Sequence, residues 1–173
     1  MKFFIKVFFS ILLIFNLTFV SSAKAGPTFV NADTFDVGTR NVNKPQNVVF
    51  SADGLRMFVL NNMNNPASND GDRVDQYHLS TKFDITSAGT IQAFKIVKNE
   101  DSAPRGIAFS ASGFSMFVVG YHENEVNEYT LQTAFDLSSN VSFKNTFPIS
   151  QDINPAGIAF NDNGTRMFVV GFN

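Results

Sequence analysis

Carboxylates in polar stretches are the side chains of this sequence with the clearest chemical potential. Asp101 and Asp152 each stand three residues before a proline, and further acids lie in other polar stretches, namely Glu123, Asp70 and Asp72. A hard cation such as calcium takes six to eight oxygen ligands, so several of these groups together could hold one. The competing interpretation is that Asp101 and Asp152 hold their own turns through side-chain to backbone hydrogen bonds, and we favour it.

The stretch 61–73 is rich in asparagine and has 13 residues, against 6 in the corresponding stretch 120–125. Asp70, Gly71 and Asp72 resemble part of a calcium-binding loop, but the glutamate twelve residues from the start of such a loop is missing. We therefore favour a flexible loop, and long loops of this kind are where recognition sites often lie.

The sequence lacks cysteine and the motifs of several common catalytic sites. The chain has no cysteine, which excludes disulfides, thiolate nucleophiles and thiolate metal sites. No G-x-S-x-G motif is present to support a serine hydrolase. His78 and His122 have no partner at metal-ligand spacing, so we expect both in solvent. The sequence predicts no catalytic residue and no cofactor, with calcium as the one candidate metal ion.

An internal repeat organises the chain. Three segments align without gaps: PQNVVFSADGLRMFVLN from Pro45, PRGIAFSASGFSMFVVG from Pro104 and PAGIAFNDNGTRMFVVG from Pro155. The spacing between these prolines is 59 and then 51 residues. Val42 stands where the second and third units have Asp101 and Asp152, which supports the turn interpretation of the aspartates. Two further elements recur, VDQYHLSTKFDITSA as VNEYTLQTAFDLSSN, and a Phe-x-(Val/Ile) strand before each proline.

Each repeat is predicted to form four β-strands. Two short apolar runs joined by SADG, SASG or NDNG indicate a hairpin whose glycine takes positive φ. The run MFVV is apolar on both faces, which indicates a strand covered on both sides. The next two strands alternate, with Glu128 on the wet face and Phe147 turned inward. Four strands per unit and a period near 50 favour an all-β protein of β-propeller blades, with a sandwich of fused hairpins as the weaker alternative.

The repeated motifs resemble secreted bacterial repeat β-propellers of the YVTN, TolB-type and NHL kind over residues 28–173. The resemblance implies four-stranded antiparallel blades: an outer strand near 28–38, blades at 45–97 and 104–149, and a half blade at 155–173. It implies that the loops before each innermost strand, and those between the second and third strands, gather around the channel at one end. Arg105, His122 and Glu123 would then lie near Asp101. In the repeated T-x-F-D element, we expect Phe83 and Phe135 to pack under a turn, and Asp84 and Asp136 to form turns.

The first 25 residues have the composition of a secretory signal peptide. Lys2 and Lys6 precede an apolar run from Val7 to Val20, and Ala23 and Ala25 form an A-x-A cleavage pattern. The alternative is an uncleaved membrane anchor. Cleavage after Ala25 removes three lysines and no acid, so 13 bases and 15 acids become 10 and 15, a net charge of −5. We therefore expect a secreted or periplasmic protein, no membrane span after cleavage and no nucleic-acid partner.

The function that the sequence favours is a binding or interaction module with a protein or carbohydrate ligand. The resemblance leaves two alternatives, a lactonase-like metal-dependent hydrolase and a structural segment of a surface repeat protein, because a fold does not define an activity. About two and a half blades cannot close a ring, since propellers have 4 to 8. We expect further blades from a longer chain, of which this sequence would be a fragment, or from other subunits.

Overall fold

The computed structural model describes residues 34–37, 44–62 and 71–172, all of which belong to one compact unit, 32–173. Two four-stranded antiparallel sheets and a two-stranded sheet follow one another along the chain. Among the described residues, no helix has the length and hydrophobicity needed to span a bilayer. The fold is all-β and consists of propeller-like blades that do not close into a ring.

The strands follow the predicted units. Blade 1 contains β1 (Pro45–Phe50), β2 (Arg56–Asn61), β3 (Arg73–Leu79) and β4 (Ala88–Ile96), with a short 3-10 helix, Ile85–Ser87, before β4. Blade 2 contains β5 (Pro104–Phe109), β6 (Ser115–Gly120), β7 (Glu125–Leu131) and β8 (Val141–Pro148), and the half blade contains β9 (Pro155–Phe160) and β10 (Met167–Gly171). The strands of each blade pair in sequence order. The predicted strand near 28–38 lies mostly outside the described residues, and 34–37 form no ladder.

The hairpin turns form as their sequences indicate. Gly54, Gly113 and Gly164 have φ of +72°, +75° and +67°, the left-handed region that a side chain disfavours. Asp53 Oδ1 accepts a hydrogen bond from the Leu55 amide at 3.0 Å, so the carboxylate holds the turn. The repeated SADG-type sequence therefore specifies the same hairpin in each unit.

In blades 1 and 2, a phenylalanine from the connection between the third and fourth strands packs on the first hairpin turn. The Phe83 ring lies against Gly54, and the Phe135 ring lies against Gly113, so close that a β-carbon on either glycine would overlap the ring. Asp84 accepts a hydrogen bond from the Thr86 amide at 2.9 Å, and Asp136 accepts the equivalent bond from Ser138. The predicted packing role of these phenylalanines and the turn-forming role of the aspartates are confirmed.

The main core lies between blades 1 and 2. Phe58, Leu60 and Val74 of blade 1 pack against Ile107, Met116, Val118, Tyr129 and Leu131 of blade 2, all of them buried. Polar contacts cross the same boundary, because the Leu137 amide donates to Gln76 Oε1 at 2.6 Å. The boundary between the blades is thus both apolar and specifically hydrogen-bonded.

Two sequence predictions for the outer strands do not match the structure. Phe147 of β8 is 37% exposed rather than turned inward, and its equivalent Phe94 of β4 is 48% exposed although a complete blade follows it. Glu128 of β7 is buried rather than wet, since it accepts hydrogen bonds from Ser115 Oγ at 3.0 Å and from Lys144 Nζ at 2.9 Å. Ser115 and Lys144 belong to the same sheet as Glu128, so strands of its own blade cover this carboxylate.

Candidate functional site

Near the start of each innermost strand, its pairing with the second strand shifts by one residue. Pro104 pairs with Gly120 and Gly106 pairs with Val119, which leaves Arg105 without a Cα partner. The same shift in β1 leaves Gln46 unpaired in the ladder. A bulge of this kind turns the side chain of the extra residue away from the sheet alternation, and bulges are common next to binding sites.

The two unpaired residues meet between the blades. Arg105 Nη1 donates a hydrogen bond to Gln46 Oε1 at 2.6 Å, which joins β5 to β1. The Arg105 guanidinium also lies 5.8 Å from the centre of the Tyr121 ring, within the range of a cation–π contact. Among the described residues, no carboxylate forms an ion pair with Arg105.

Tyr121 and His122 extend this surface into the loop between β6 and β7. Tyr121 is 40% exposed, and its ring centre lies 5.4 Å from that of His122 in an edge-on arrangement. His122 is exposed, as is His78 on β3, and both positions agree with the predictions from sequence. Arg105, Gln46, Tyr121 and His122 together form what we call the bulge-end surface.

Asp101 lies in the loop before β5 but is not a surface carboxylate. Its side chain is fully buried, and Oδ1 accepts a hydrogen bond from the Ala103 amide at 2.9 Å. Oδ2 has no hydrogen-bond partner among the described residues. The carboxylate lies directly against the backbone of Gly120, at a place that a β-carbon would occupy. Asp101 therefore holds its own turn, as the competing interpretation predicted.

Burial raises the pKa of Asp101 to about 7. The nearby carboxylates of Glu123 and Asp72 act in the same direction, while the hydrogen bond from the Ala103 amide lowers the pKa. Glu123 itself is exposed and accepts a hydrogen bond from Ser102 Oγ at 2.8 Å. Strongly shifted carboxyl groups are frequent at functional sites, but structural positions shift them too.

Among the described residues, the other predicted acids form no metal site with Asp101. Asp152 repeats the turn contact, because its Oδ1 accepts a hydrogen bond from the Asn154 amide at 2.9 Å, and it lies against Gly171. Asp72 is buried beside β3, and Asp70 lies outside the described residues. Within 34–37, 44–62 and 71–172, no three histidine, aspartate or glutamate side chains are placed to hold a metal ion.

A buried ion pair in blade 1 was not predicted from the sequence. Arg73 Nε lies 2.7 Å from Asp75 Oδ1, and Asn61 Nδ2 donates to Asp75 Oδ2 at 2.9 Å. The Arg73 guanidinium also lies 4.7 Å from the centre of the Phe94 ring. The corresponding residues of blade 2 are Glu125 and Asn127, so the pair is not part of the repeat.

Two residues of the bulge-end surface, Gln46 and Tyr121, were also missed from the sequence. A bulge has no periodic signature, so neither position stood out. Gly120 and Gly171 could have been identified, because the two units with a glycine there are the two with an aspartate before the proline. The first unit has Asn61 and Val42 at these positions, and this joint change is a sign of contact.

Comparisons with known proteins support the architecture. The sequence matches no protein-family model, and no curated protein is detectably similar to it. Among solved structures, the periplasmic gluconolactonase PpgL of Pseudomonas aeruginosa is similar, with a TM-score of 0.52 and 18% sequence identity over 78% of this chain. The chain spans 36% of the length of that protein. The likeness shows a shared propeller-like, all-β fold.

Proposed function

We propose that this chain is a β-propeller segment of a secreted or periplasmic binding module, and that ligand is bound at the bulge-end surface. The observation that carries the proposal is the meeting of Arg105 and Gln46, each aimed out of its sheet by a register shift and joined across two blades. A charged side chain held this way is already oriented, so a ligand does not have to order it.

The chemistry of the surface defines the kind of ligand. Arg105 can only donate hydrogen bonds, so it suits hydroxyl, carbonyl or carboxylate oxygens. Tyr121 offers a half-exposed ring with a polar end, a combination common in recognition surfaces. A carbohydrate has both an apolar ring face and many oxygen acceptors, so we propose a carbohydrate ligand.

Binding to an array of neutral and acidic oligosaccharides tests this function. We expect the protein to bind oligosaccharides of this array. Arg105→Ala and Tyr121→Ala should each weaken that binding by about tenfold or more. Arg166→Ala is the matched control, because Arg166 is exposed at the hairpin end of the half blade and should leave binding unchanged. Absence of binding to every glycan, or equal loss with Arg166→Ala, would contradict the proposal.

A lactonase is the second candidate, because PpgL is a gluconolactonase by name and Asp101 has a pKa of about 7. A carboxyl with that pKa suits proton transfer near neutral pH. Its full burial against Gly120 weighs against contact with a substrate, which is why binding is our first choice. If the protein hydrolyses gluconolactone and Asp101→Asn abolishes that hydrolysis, the result would favour the enzyme instead.

A further inference from the structure

The loop between β6 and β7, residues 121–124, is fastened to the turn before β5. The Tyr121 amide donates a hydrogen bond to the Ala103 carbonyl at 3.0 Å. Further along the loop, the Glu123 carboxylate accepts hydrogen bonds from Ser102 Oγ at 2.8 Å and from the Ser102 amide at 3.4 Å. The ring of Tyr121 belongs to the bulge-end surface, so these contacts help to set the position of that surface.

Two carboxyl groups meet where the loop joins the turn. Asp101 is fully buried, and its Oδ1 accepts the hydrogen bond from the Ala103 amide. Its Oδ2 has no donor among the described residues, although the Glu123 carboxyl lies within hydrogen-bonding reach of this side chain. Two ionised carboxylates can only accept hydrogen bonds, whereas a protonated carboxyl also donates one. A proton on one of the two groups therefore supplies the missing bond.

The groups that face Asp101 favour this proton. Glu123 in the loop and Asp72 beside β3 are both acids, and each raises the pKa of Asp101 in addition to the larger effect of burial. Tyr129 of β7 donates a hydrogen bond to Glu100 Oε2 at 3.2 Å. Burial, followed by the charges of Glu100 and Asp101, raises the pKa of Tyr129, so this hydroxyl stays neutral. Low polarity and like charges both oppose a second ionised carboxylate at this place.

We propose that Asp101 and Glu123 share one proton that keeps the loop 121–124 closed on the turn before β5, and that the loop opens when this proton passes to water. Two facing carboxylates then repel each other. Asp101 cannot retreat, because it is buried against Gly120, whereas Glu123 is exposed and can move into solvent. The loop should be closed below about pH 7 and open above it, since the pKa of Asp101 is about 7.

Opening of the loop displaces Tyr121 from the bulge-end surface, so ligand binding should weaken as the pH rises above 7. Only this consequence rests on the proposed function. Arg105 is held separately by its hydrogen bond to Gln46, so binding should be weakened and not abolished. The affinity at high pH should approach that of Tyr121→Ala, about tenfold below the affinity of the closed protein.

Quenching of tyrosine fluorescence by acrylamide tests the loop without any ligand. The chain has three tyrosines and no tryptophan. Tyr77 and Tyr129 are buried and Tyr121 is 40% exposed, so quenching reports mainly on Tyr121. The measurement runs from about pH 5 to 9, a range in which an exposed tyrosine stays neutral. We expect the quenching constant to rise by up to about twofold as the loop opens, with its midpoint near pH 7.

Two variants should remove this rise and keep the loop closed at every pH. Asp101→Asn and Glu123→Gln each place an amide in the pair, and an amide donates its hydrogen bond without a titrating proton. Glu123 is exposed, so its variant should fold even if the buried Asp101→Asn variant does not. Asp152→Asn is the matched control, because Asp152 holds the equivalent turn of the half blade, and it should retain the rise.

The outcomes separate this proposal from the proposed function. A quenching constant that does not change with pH would overturn the shared proton, whatever ligand is found. A rise that both acid variants retain and His122→Asn removes would assign the titration to His122 and would also overturn it. A rise that both acid variants remove, in a protein that binds no oligosaccharide, would support the shared proton and contradict only the proposed function.

Discussion

The carboxylate of Asp101 occupies the space beside Gly120 that a β-carbon would otherwise fill, and Asp152 has the same relationship to Gly171. The two aspartates are fixed by the amides two residues later, at 2.9 Å in both cases. A loop at the start of one strand is thus fitted to the end of its neighbour. This fit explains why the aspartate and the glycine appear together in two repeats and are replaced together in the first.

Gly120→Ala should lower the free energy of unfolding by about 1 to 3 kcal/mol, because its methyl group overlaps a buried carboxylate that cannot move freely. The Asp101→Ala/Gly120→Ala double variant should lose less than the sum of the two single variants, since removal of the carboxylate makes room for the methyl group. Urea denaturation measures all three variants.

Gly89→Ala is the control for the glycine substitution, because nothing lies within 4 Å of the place that its β-carbon would take and its φ is not positive. It should leave stability unchanged. Additive losses in the double variant would show that Asp101 and Gly120 do not share this space.

The raised pKa of Asp101 makes stability depend on pH in an unusual direction. Between the ordinary value of 3.8 and the folded value of about 7, the folded protein keeps a proton that the unfolded chain releases. Stability from this group is therefore complete below pH 3.8 and is lost as the pH rises toward 7, by up to about 1.4 kcal/mol per pH unit. Asp101→Asn should flatten this part of the profile.

Asp136→Asn is the control for the pH experiment. Hydrogen bonds from Ser138 lower the pKa of Asp136, so its contribution to stability is lost only as the pH falls below 3.8. The slope between about pH 4 and 7 should be the same with and without this substitution. A wild-type profile that rises across that interval, or an Asp101→Asn profile with the wild-type slope, would show that Asp101 is ionised when folded.

The sequence predicted most of the fold because the inner hairpin occurs three times in it and the outer pair of strands occurs twice. Positive φ at Gly113, the hairpin around it and the doubly covered strand at Met116 all follow from local turn chemistry and apolar runs. The bulge at Arg105 could not be predicted, because one extra residue in a ladder leaves no periodic signal. The exposure of Phe147 could not be predicted either, because an apolar residue in an alternating strand indicates a covered face, whereas Phe147 and its equivalent Phe94 are both exposed on the outermost strand of their blades.

Phe135 and Phe83 occupy equivalent positions in the two blades, but they should contribute differently to the free energy of unfolding. Phe135 packs on Phe109 with ring centres 5.3 Å apart and contributes to the core between the blades. Phe83 is 60% exposed and belongs to no core cluster among the described residues. We expect Phe135→Ala to cost about 2 to 4 kcal/mol, and Phe83→Ala about 1 kcal/mol or less, in chemical denaturation. Equal losses would show that the turn contact, and not the core between the blades, determines the cost.

Breaking the buried ion pair of Arg73 and Asp75 should lower the free energy of unfolding strongly, whereas replacing both residues should lower it much less. Asp75→Leu leaves a guanidinium buried without its carboxylate, and Arg73→Met leaves a buried carboxylate, so each should cost about 3 to 5 kcal/mol. The double variant exchanges both charges for apolar side chains, so neither charge is left buried alone, and it should lose much less than either single variant. Thermal unfolding of the four proteins gives the coupling energy. A double variant that loses the sum of the two single losses would show that the charges act independently, with Asn61 and Phe94 as their separate partners.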